Sequence, residues 1–210
     1  MLGVRVTVPI ACFRKGLARE FLETEKLPPP STCYGFLLSL VGEEDRNTHQ
    51  GVFVTPVLLF AERPSVVLRT LWRIKTKSKP LGNLPNMCPD YQQLLTNIEL
   101  IIWIDSSNEQ QESETLEQRV YAALTSPAVV NRFGGLSLGE STHLVDEVCL
   151  FGEDPNREGQ AFVTSSDGSL SLPIWVDHIG TAGTRYATGD LVVGPLTAPK
   201  PEQMPCIKAD

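Results

Sequence analysis

The sequence predicts an α+β domain with a ferredoxin-like split βαβ arrangement, the order of elements that also underlies the RNA recognition motif. Three observations predict it. Alternating apolar residues indicate strands, two amphipathic stretches indicate helices, and a polar, basic segment separates the second strand from the third. Up to residue 151 the order is β–α–β–insert–β–α–β, with the insert at about 63–96.

The first strand and helix have clear boundaries. Apolar residues alternate over residues 4–12, which is typical of a strand. A run of three prolines, 28–30, precedes the first helix, for which Ser31 is the expected N-cap and Gly42 the C-terminal stop. Gly35 inside this helix costs about 1 kcal/mol relative to alanine, so we expect another group to approach the helix closely there.

The later elements follow from similar patterns. The third strand is apolar on both faces, which predicts a central position in the sheet. The expected elements are a strand at 51–60, that third strand at 97–105, a helix at 114–124, a fourth strand at 143–151, and short β segments at 161–164 and 170–176. We therefore expect a core domain over 1–151, a short C-terminal β extension over 152–193, and a flexible proline-rich tail over 194–210.

Composition excludes several classes of protein. The chain has 210 residues, 41% of them hydrophobic and 20% charged, as in a globular protein. No apolar run reaches the ~18 residues of a membrane-spanning helix. The five cysteines are scattered without a Cys-x-x-Cys pair, and there are three histidines. We therefore expect free thiols in a reducing cytoplasm and neither a metal site nor a cofactor.

The net charge of −7 hides an uneven distribution. No acidic residue lies between Glu62 and Asp90, and this window carries six basic residues, which leaves 12 basic and 25 acidic residues, or −13, elsewhere. Five of the cations occupy odd positions and would share one face of an extended strand: Arg69, Arg73, Lys75, Lys77 and Lys79.

Such a face favours a polyanion as partner, because cations without a nearby anion repel one another. Trp72 would project from the opposite face, where it is available to stack on a base. Two simpler interpretations stay open. The cations would also protect an edge strand against aggregation, and Trp72 would also serve as a packing residue.

A glycine-rich stretch, Gly134–Gly139, contains a match to the G-x-S-x-G motif of serine hydrolases around Ser137. Possible partners lie downstream, at His143, Asp177 and His178. The motif requires a strand before the serine and a helix after it, whereas the predicted order is the reverse, which argues against a hydrolase. A glycine-rich loop preceded by Arg132 is suited to holding phosphate oxygens, and a plain tight connection fits equally well.

Three segments carry a resemblance to a known family. They are the proline-rich entry and helix at 27–43, the basic insert, and the glycine-rich segment at 132–141. Together they make residues 3–150 similar to the CRISPR-associated RAMP subunit of type I Cascade, the Cas-five family, which caps the guide RNA.

The resemblance implies a non-enzymatic subunit that grips the 5′ handle of the CRISPR RNA (crRNA). It also implies contacts with the backbone RAMP subunits and with the large subunit that reads the PAM, and so an indirect relation to target DNA, with no role for a membrane. By position, the thumb-like hairpin of the family would supply the five cations and Trp72, while Ser31, Thr32 and Tyr34 would hold the handle at the helix start and Arg132 would add a contact.

One branch of the family processes precursor crRNA with a tyrosine and an adjacent Lys–His pair. This sequence contains no Lys–His or His–Lys dipeptide, so we expect no enzymatic activity. The alternatives are a metal-independent endoribonuclease and a structural subunit that binds protein alone.

Overall fold

The computed structural model describes residues 1–16, 18, 21–72, 78, 86–110, 114–179 and 182–209, with only the backbone described for Leu71, Trp72 and Cys88. It contains nine strands and two α-helices. In chain order they are β1 Leu2–Ala11, β2 Phe21–Leu22, α1 Pro30–Val41, β3 Phe53–Phe60, β4 Ser65–Trp72, β5 Met87–Asp105, α2 Leu116–Thr125, β6 Glu147–Phe151, β7 Asp154–Thr164, β8 Leu170–Trp175 and β9 Arg185–Leu196.

The strands form one antiparallel path in the order β6-β1-β5-β3-β7-β9-β8. Two strands lie off this path: β4 pairs with β5 antiparallel, and the short β2 pairs with β5 in parallel. The C-terminal strands therefore extend the same sheet beyond β3. The sequence patterns missed β2 and β9 and predicted only the end of β7.

β5 is buried on both faces in its second half, as predicted for 97–105. Ile98, Leu100, Ile102 and Ile104 pack with α1 and α2 in the main core, and Val4 lies opposite Ile102 on β1. On the other face, Ile101 and Trp103 pack against Leu196 and Met204. The helices thus cover one face of the sheet and the C-terminal segment covers the other.

β1 is joined to both neighbouring strands by one side chain. The Arg5 guanidinium donates to Glu99 of β5 at 2.8 Å and to Glu147 of β6 at 2.7 Å. Each pair is partly exposed, so each stabilises the fold by less than about 1 kcal/mol. Their geometry nevertheless favours the observed pairing of three strands.

α1 begins two residues earlier than predicted. Pro29 occupies the N-cap position without a side-chain hydrogen bond, and the helix starts at Pro30, so the assignment of Ser31 as N-cap is wrong. Proline suits the first helical position because its φ is preset and its missing N–H has no helical partner there. Gly42 ends the helix as predicted, with φ 71° and its N–H directed to the Leu38 and Ser39 carbonyls.

α2 begins with a capping box. The Gln118 N–H donates to the Thr115 hydroxyl, and the Thr115 N–H donates to the Gln118 side chain. Each such cap stabilises a helix by about 1 kcal/mol. The helix then buries Leu116, Val120 and Ala123 against the sheet and α1.

The proline-rich tail is packed, which corrects the expectation that 194–210 is flexible. The Ile207 N–H donates to the Val52 carbonyl and the Gly51 N–H donates to the Ile207 carbonyl, each at 2.8 Å, and the Val54 N–H donates to the Pro205 carbonyl at 3.1 Å. These bonds satisfy backbone groups at the start of β3. A short 3₁₀ helix at Pro201–Gln203 turns the segment, and Met204 and Ile207, which follow it, are buried.

The expected hairpin is present, from the Ser65–Leu94 pair to the Trp72–Met87 pair. Its second arm is continuous with the third core strand, so that β5 runs for 19 residues through both. The insert is therefore anchored directly in the sheet. We call the paired strands at 65–72 and 87–94 the basic hairpin; the cations Arg73, Lys75, Lys77 and Lys79 lie outside the described residues.

Within the described ranges no helix is long and apolar enough to cross a membrane. Cys12 and Cys33 are buried free thiols, and Cys149 and Cys206 are half-buried ones. Burial raises the pKa of the Cys33 thiol, so this group stays protonated.

Ile207→Ala tests the packing of the tail. Ile207 is fully buried, so its truncation is expected to lower the free energy of unfolding by about 2–5 kcal/mol. Ile179 is 99% exposed, and Ile179→Ala is expected to change the free energy of unfolding by less than about 0.5 kcal/mol. Urea unfolding of both variants measures the difference; equal values would contradict a packed tail.

Candidate functional site

The base of the basic hairpin is fixed to the protein body through Arg69. Its guanidinium donates to Glu140 at 2.9 Å and also to the Gln92 side chain on the paired strand. The Gln92 amide in turn donates to Glu140 at 2.8 Å. Arg69 therefore has an internal anionic partner, which corrects the inference that the cations of this face have no anion nearby.

Glu140 comes from the glycine-rich segment, which folds into a tight hairpin at 134–145. Its strands are held by bonds from the Leu138 N–H to the His143 carbonyl at 3.0 Å and from the Val145 N–H to the Leu136 carbonyl at 2.9 Å. Glu140 and Arg69 lie 71 positions apart in sequence, so no local pattern predicts the contact. We call Arg69, Gln92 and Glu140 the hairpin latch.

His143 holds this glycine-rich hairpin against the end of β1. Its Nδ1 accepts hydrogen bonds from the Cys12 N–H at 3.2 Å and from the Glu140 N–H at 3.1 Å, so this nitrogen carries no proton. Burial lowers the pKa of His143; the nearby Glu140 carboxylate acts in the opposite direction and Arg69 reinforces the lowering. The neutral imidazole thus positions the backbone that carries Glu140.

Ser137 does not lie in a nucleophile elbow. It forms an isolated antiparallel bridge with Leu144, so a turn and a returning strand follow it instead of a helix. Its neighbour Gly139 has φ 105°, and a Cβ there would lie 3.0 Å from the Cys12 carbonyl oxygen. This glycine is required by the tight turn and by close approach to β1.

A second feature is a cleft of about 380 Å³ beside α1, which we call the α1 cleft. One wall is α1 itself, and the other is formed by the glycine-rich hairpin and by the end of β8. Its polar lining consists of Ser31, Thr32, Tyr34, Ser39, Arg46, Ser137 and His178. Three of the predicted RNA-binding residues thus lie in one site with Ser137 and His178 of the rejected hydrolase motif. The sequence did not indicate the other two, Ser39 and Arg46.

Arg46 lies over Trp175 in this cleft, with 3.8 Å between the guanidinium carbon and the ring centroid. Tyr34 holds the backbone of Arg46 in place, because its hydroxyl donates to the Arg46 carbonyl at 2.8 Å. Tyr34 is buried, and burial raises the pKa of its hydroxyl. The hydroxyl is therefore engaged inside the protein, and the contact of Tyr34 with RNA stays a prediction.

The loop that carries Arg46 is tied down by a buried polar network. The Arg119 guanidinium contacts Glu43 at 2.6 Å and His49 Nε2 at 2.8 Å, and His49 Nδ1 contacts Glu109. Burial raises the pKa of Glu109, but bonds from His49, Ser106 and the α2 N-terminus outweigh it and hold that pKa below its usual value. The network fixes residues 43–49 between the two helices.

The other predicted contacts lie elsewhere. Arg132 is exposed, donates to the Gly134 carbonyl at 2.9 Å, and borders an adjoining groove that shares Gly35 with the α1 cleft. For Trp72 the structure describes only the backbone, which lies in β4.

Among the described residues, no group of three or more His, Cys, Asp or Glu side chains is arranged to bind a metal ion.

The hairpin latch predicts a measurable coupling. Arg69→Ala and Glu140→Ala together are expected to cost about 0.5–1.5 kcal/mol less than the sum of the single changes, because either change alone breaks the same ion pair. In a control cycle, Arg69→Ala is combined with Glu158→Ala, a change at an exposed residue of β7. There the two changes in the free energy of unfolding are expected to be additive. Urea unfolding measures both cycles, and equal coupling in the two would rule out the latch.

His143 predicts a pH dependence of stability. Its pKa is lowered in the folded state, so the unfolded chain binds more protons just below the ordinary value of about 6.5. Stability is therefore flat above that pH and falls as the pH drops below it. His143→Asn keeps an acceptor without titrating, and we expect it to lose less stability than the wild type between pH 7 and 5. If the wild type and His143→Asn lost the same stability between pH 7 and 5, the titration of His143 would not be the cause.

Similarity to other proteins agrees with these features. No protein-family model matches the chain. A CRISPR-associated protein Cas5 from Myxococcus xanthus (strain DK1622) is 50% identical over 208 residues, which are 99% of this chain and 97% of that protein.

Two solved structures share the fold. A chain of a CRISPR RNA-guided surveillance complex matches with a TM-score of 0.60 and 13% identity, over 93% of this chain and 89% of that chain. The crystal structure of a Cas protein matches with a TM-score of 0.51 and 12% identity, over 94% of this chain and 95% of that chain. The mixed α/β architecture, with a curled antiparallel sheet and two helices, is therefore that of Cas proteins. Because half of the residues are identical to those of the Myxococcus protein over almost the whole of both chains, the resemblance seen in the sequence is confirmed. This protein belongs to the Cas5 family of CRISPR-associated proteins.

Proposed function

We propose that this protein is a non-catalytic RNA-binding subunit of a type I CRISPR Cascade complex, in which it caps the 5′ handle of the crRNA. The observation that carries the proposal is the basic hairpin. The sequence window 63–89, which overlaps this hairpin, contains six cations and no acid, whereas the rest of the chain carries −13; the second arm of the hairpin is continuous with the central core strand.

This arrangement suits a localised grip on RNA. A body with excess negative charge repels phosphates, so RNA is directed to the hairpin and away from the rest of the surface. The hairpin latch fixes the base of the hairpin, which reduces the conformational entropy lost when RNA binds. Arg69 serves in the latch, so phosphate contacts fall to Arg73, Lys75, Lys77 and Lys79.

The strand order supports a ferredoxin-like core. β6-β1-β5-β3 is antiparallel throughout, and α1 and α2 connect β1 to β3 and β5 to β6. In this proposal the exposed edges and loops of the core meet the backbone RAMP subunits and the large PAM-reading subunit in the cytoplasm. Contact with target DNA is then indirect, through the assembled complex.

The positions of two of the three histidines support a non-catalytic role, whereas the third, His178, lines the α1 cleft. Acid–base cleavage of RNA needs titratable groups within reach of one phosphate. His49 and His143 are buried in separate networks, the first with Glu109 and the second with the Cys12 and Glu140 N–H groups. Neither imidazole is placed to exchange protons with a bound strand.

Repeat-derived RNA containing the handle tests both parts of the proposal. Arg73→Ala with Lys75→Ala is expected to weaken binding and to reduce the slope of log K against log salt by about 1.4, since each lost contact to a single strand removes about 0.7. Lys200→Ala with Lys208→Ala, two exposed cations outside the hairpin, is the matched control and should leave the slope unchanged.

The same binding reactions, run in EDTA and analysed on denaturing gels, are expected to contain intact RNA. Discrete cleavage products would overturn the non-catalytic assignment and support the endoribonuclease. An unchanged salt slope in the hairpin variant would instead overturn the assignment of the hairpin.

A further inference from the structure

The long strand β5 is irregular where its hairpin half meets its core half. Asn97 lies at this junction with φ 50°, the one positive φ of a non-glycine residue within the described ranges. In the register of β1, Pro9, which has no N–H to offer a neighbouring strand, lies opposite Asn97. On the other side of β5, the pairing of β3 shifts between Leu58 and Phe60. Both neighbours of β5 are thus irregular at the same level, which is typical of a hinge.

Beyond this hinge the basic hairpin is a regular unit, because its pairs run without a shift from Ser65–Leu94 to Trp72–Met87. Two connections hold this unit against the protein body. One is the hairpin latch, and the other is β2, a two-residue strand in the loop between β1 and α1 that pairs with β5. If both connections loosen, the hairpin turns as a whole, since the hinge absorbs the change of angle and the ladder stays intact.

Both connections lead back to His143. Its Nδ1 accepts from the Glu140 N–H at 3.1 Å, in the residue that supplies the latch carboxylate. The same atom accepts from the Cys12 N–H at 3.2 Å, at the start of the loop that carries β2. A protonated Nδ1 is a donor and accepts from neither group. One proton on His143 therefore removes two hydrogen bonds that position the two connections.

The charged groups around His143 add a competition for one carboxylate. Glu140 Oε2 lies 2.9 Å from the Arg69 guanidinium and 3.9 Å from His143 Nε2. Asp90 is buried and lies opposite Arg69 on the paired strand. From the end of β1 comes the Cys12 thiol; burial raises its pKa, so this group stays neutral. A positively charged imidazole therefore competes with Arg69 for Glu140.

We propose that the basic hairpin has two orientations related by a rotation about Asn97, and that protonation of His143 releases it from the hairpin latch. In the latched orientation, which is that of the structure, the imidazole is neutral and buried. In the released orientation the imidazole is exposed to water and binds a proton. The inference goes beyond the proposed function and does not depend on it, since neither the hinge nor the latch involves RNA.

Acid pH favours the released orientation. Burial lowers the pKa of His143 in the latched orientation, whereas an exposed imidazole titrates near the ordinary value of about 6.5. Above that pH neither orientation binds the proton, so their ratio is constant. As the pH falls below it, the ratio of released to latched molecules rises by up to about tenfold per pH unit, until the latched form is protonated as well.

The test measures the distance between the basic hairpin and the protein body in the full chain, without RNA. Spin labels on genetically encoded ketone side chains at Leu68 and Glu158, both exposed, leave the native thiols intact. By pulsed electron paramagnetic resonance we expect one narrow distance distribution at pH 7.5 and an additional, distinct distance at pH 5.5. A pair of labels within the body, at Tyr121 and Glu158, is expected to give the same distance at both pH values.

Three variants separate the hinge from the titrating group. His143→Asn keeps an acceptor without titrating, so it is expected to show the latched distance alone at pH 5.5. His178→Asn, at an exposed histidine outside the latch, is the matched control and should respond to pH as the wild type does. Asn97→Gly widens the range of φ at the hinge and is expected to enlarge the second population at pH 5.5.

A single distance in the wild type at pH 5.5 would overturn the inference. An equal pH response in His143→Asn would do the same, because the titrating group would then lie elsewhere. A change in the pair of labels within the body would show that acid alters the fold as a whole, which also contradicts release of the hairpin alone. The RNA-binding experiments on the Arg73/Lys75 variant bear on the proposed function and leave these outcomes unaffected.

Discussion

The burial of β5 on both faces is the constraint on which the rest of the fold depends. Its isoleucines and leucine on one side require α1 and α2 as a cover, and Ile101 and Trp103 on the other side require the C-terminal segment. β5 also pairs with β1 and β3 in its second half and with β4 in its first. A strand shared in this way joins the hydrophobic core to the basic hairpin without a linker, so the position of the hairpin follows from the packing of the core.

Local patterns predicted those parts of the fold that local physics determines. Alternation identified β1 and the core half of β5, and Gly42 ended α1 because only a residue that tolerates positive φ suits that site. The tail was misjudged because proline content does not determine mobility. Whether such a segment packs depends on backbone groups elsewhere that pair with it, here at Val52 and Val54. Ser31 was misjudged because a proline run offered the helix an alternative start.

The candidate site was harder to predict than the fold, because its contacts join residues that are distant in sequence. The charge window singled out one segment, but the partner of Arg69 is Glu140, far beyond that window. Arg46 and Trp175 are distant in sequence and come into contact only when β8 packs beside α1. A stretch of sequence shows which charges are present, whereas the fold decides which of them remain available for a ligand.

The pairing of β1 has a consequence for the order of events during synthesis. Val4 pairs with Ile102 and Leu150, so the first strand made must wait for both partners; at about 5–20 residues per second the second one arrives roughly 7–30 s later. A strand of alternating valines with two open edges invites aggregation during that interval. Arg5 in its middle counters this, because a charge at that position opposes the pairing of one nascent chain with another. The side chain that connects Glu99 to Glu147 in the folded protein is thus also the one charge within the apolar alternation of β1.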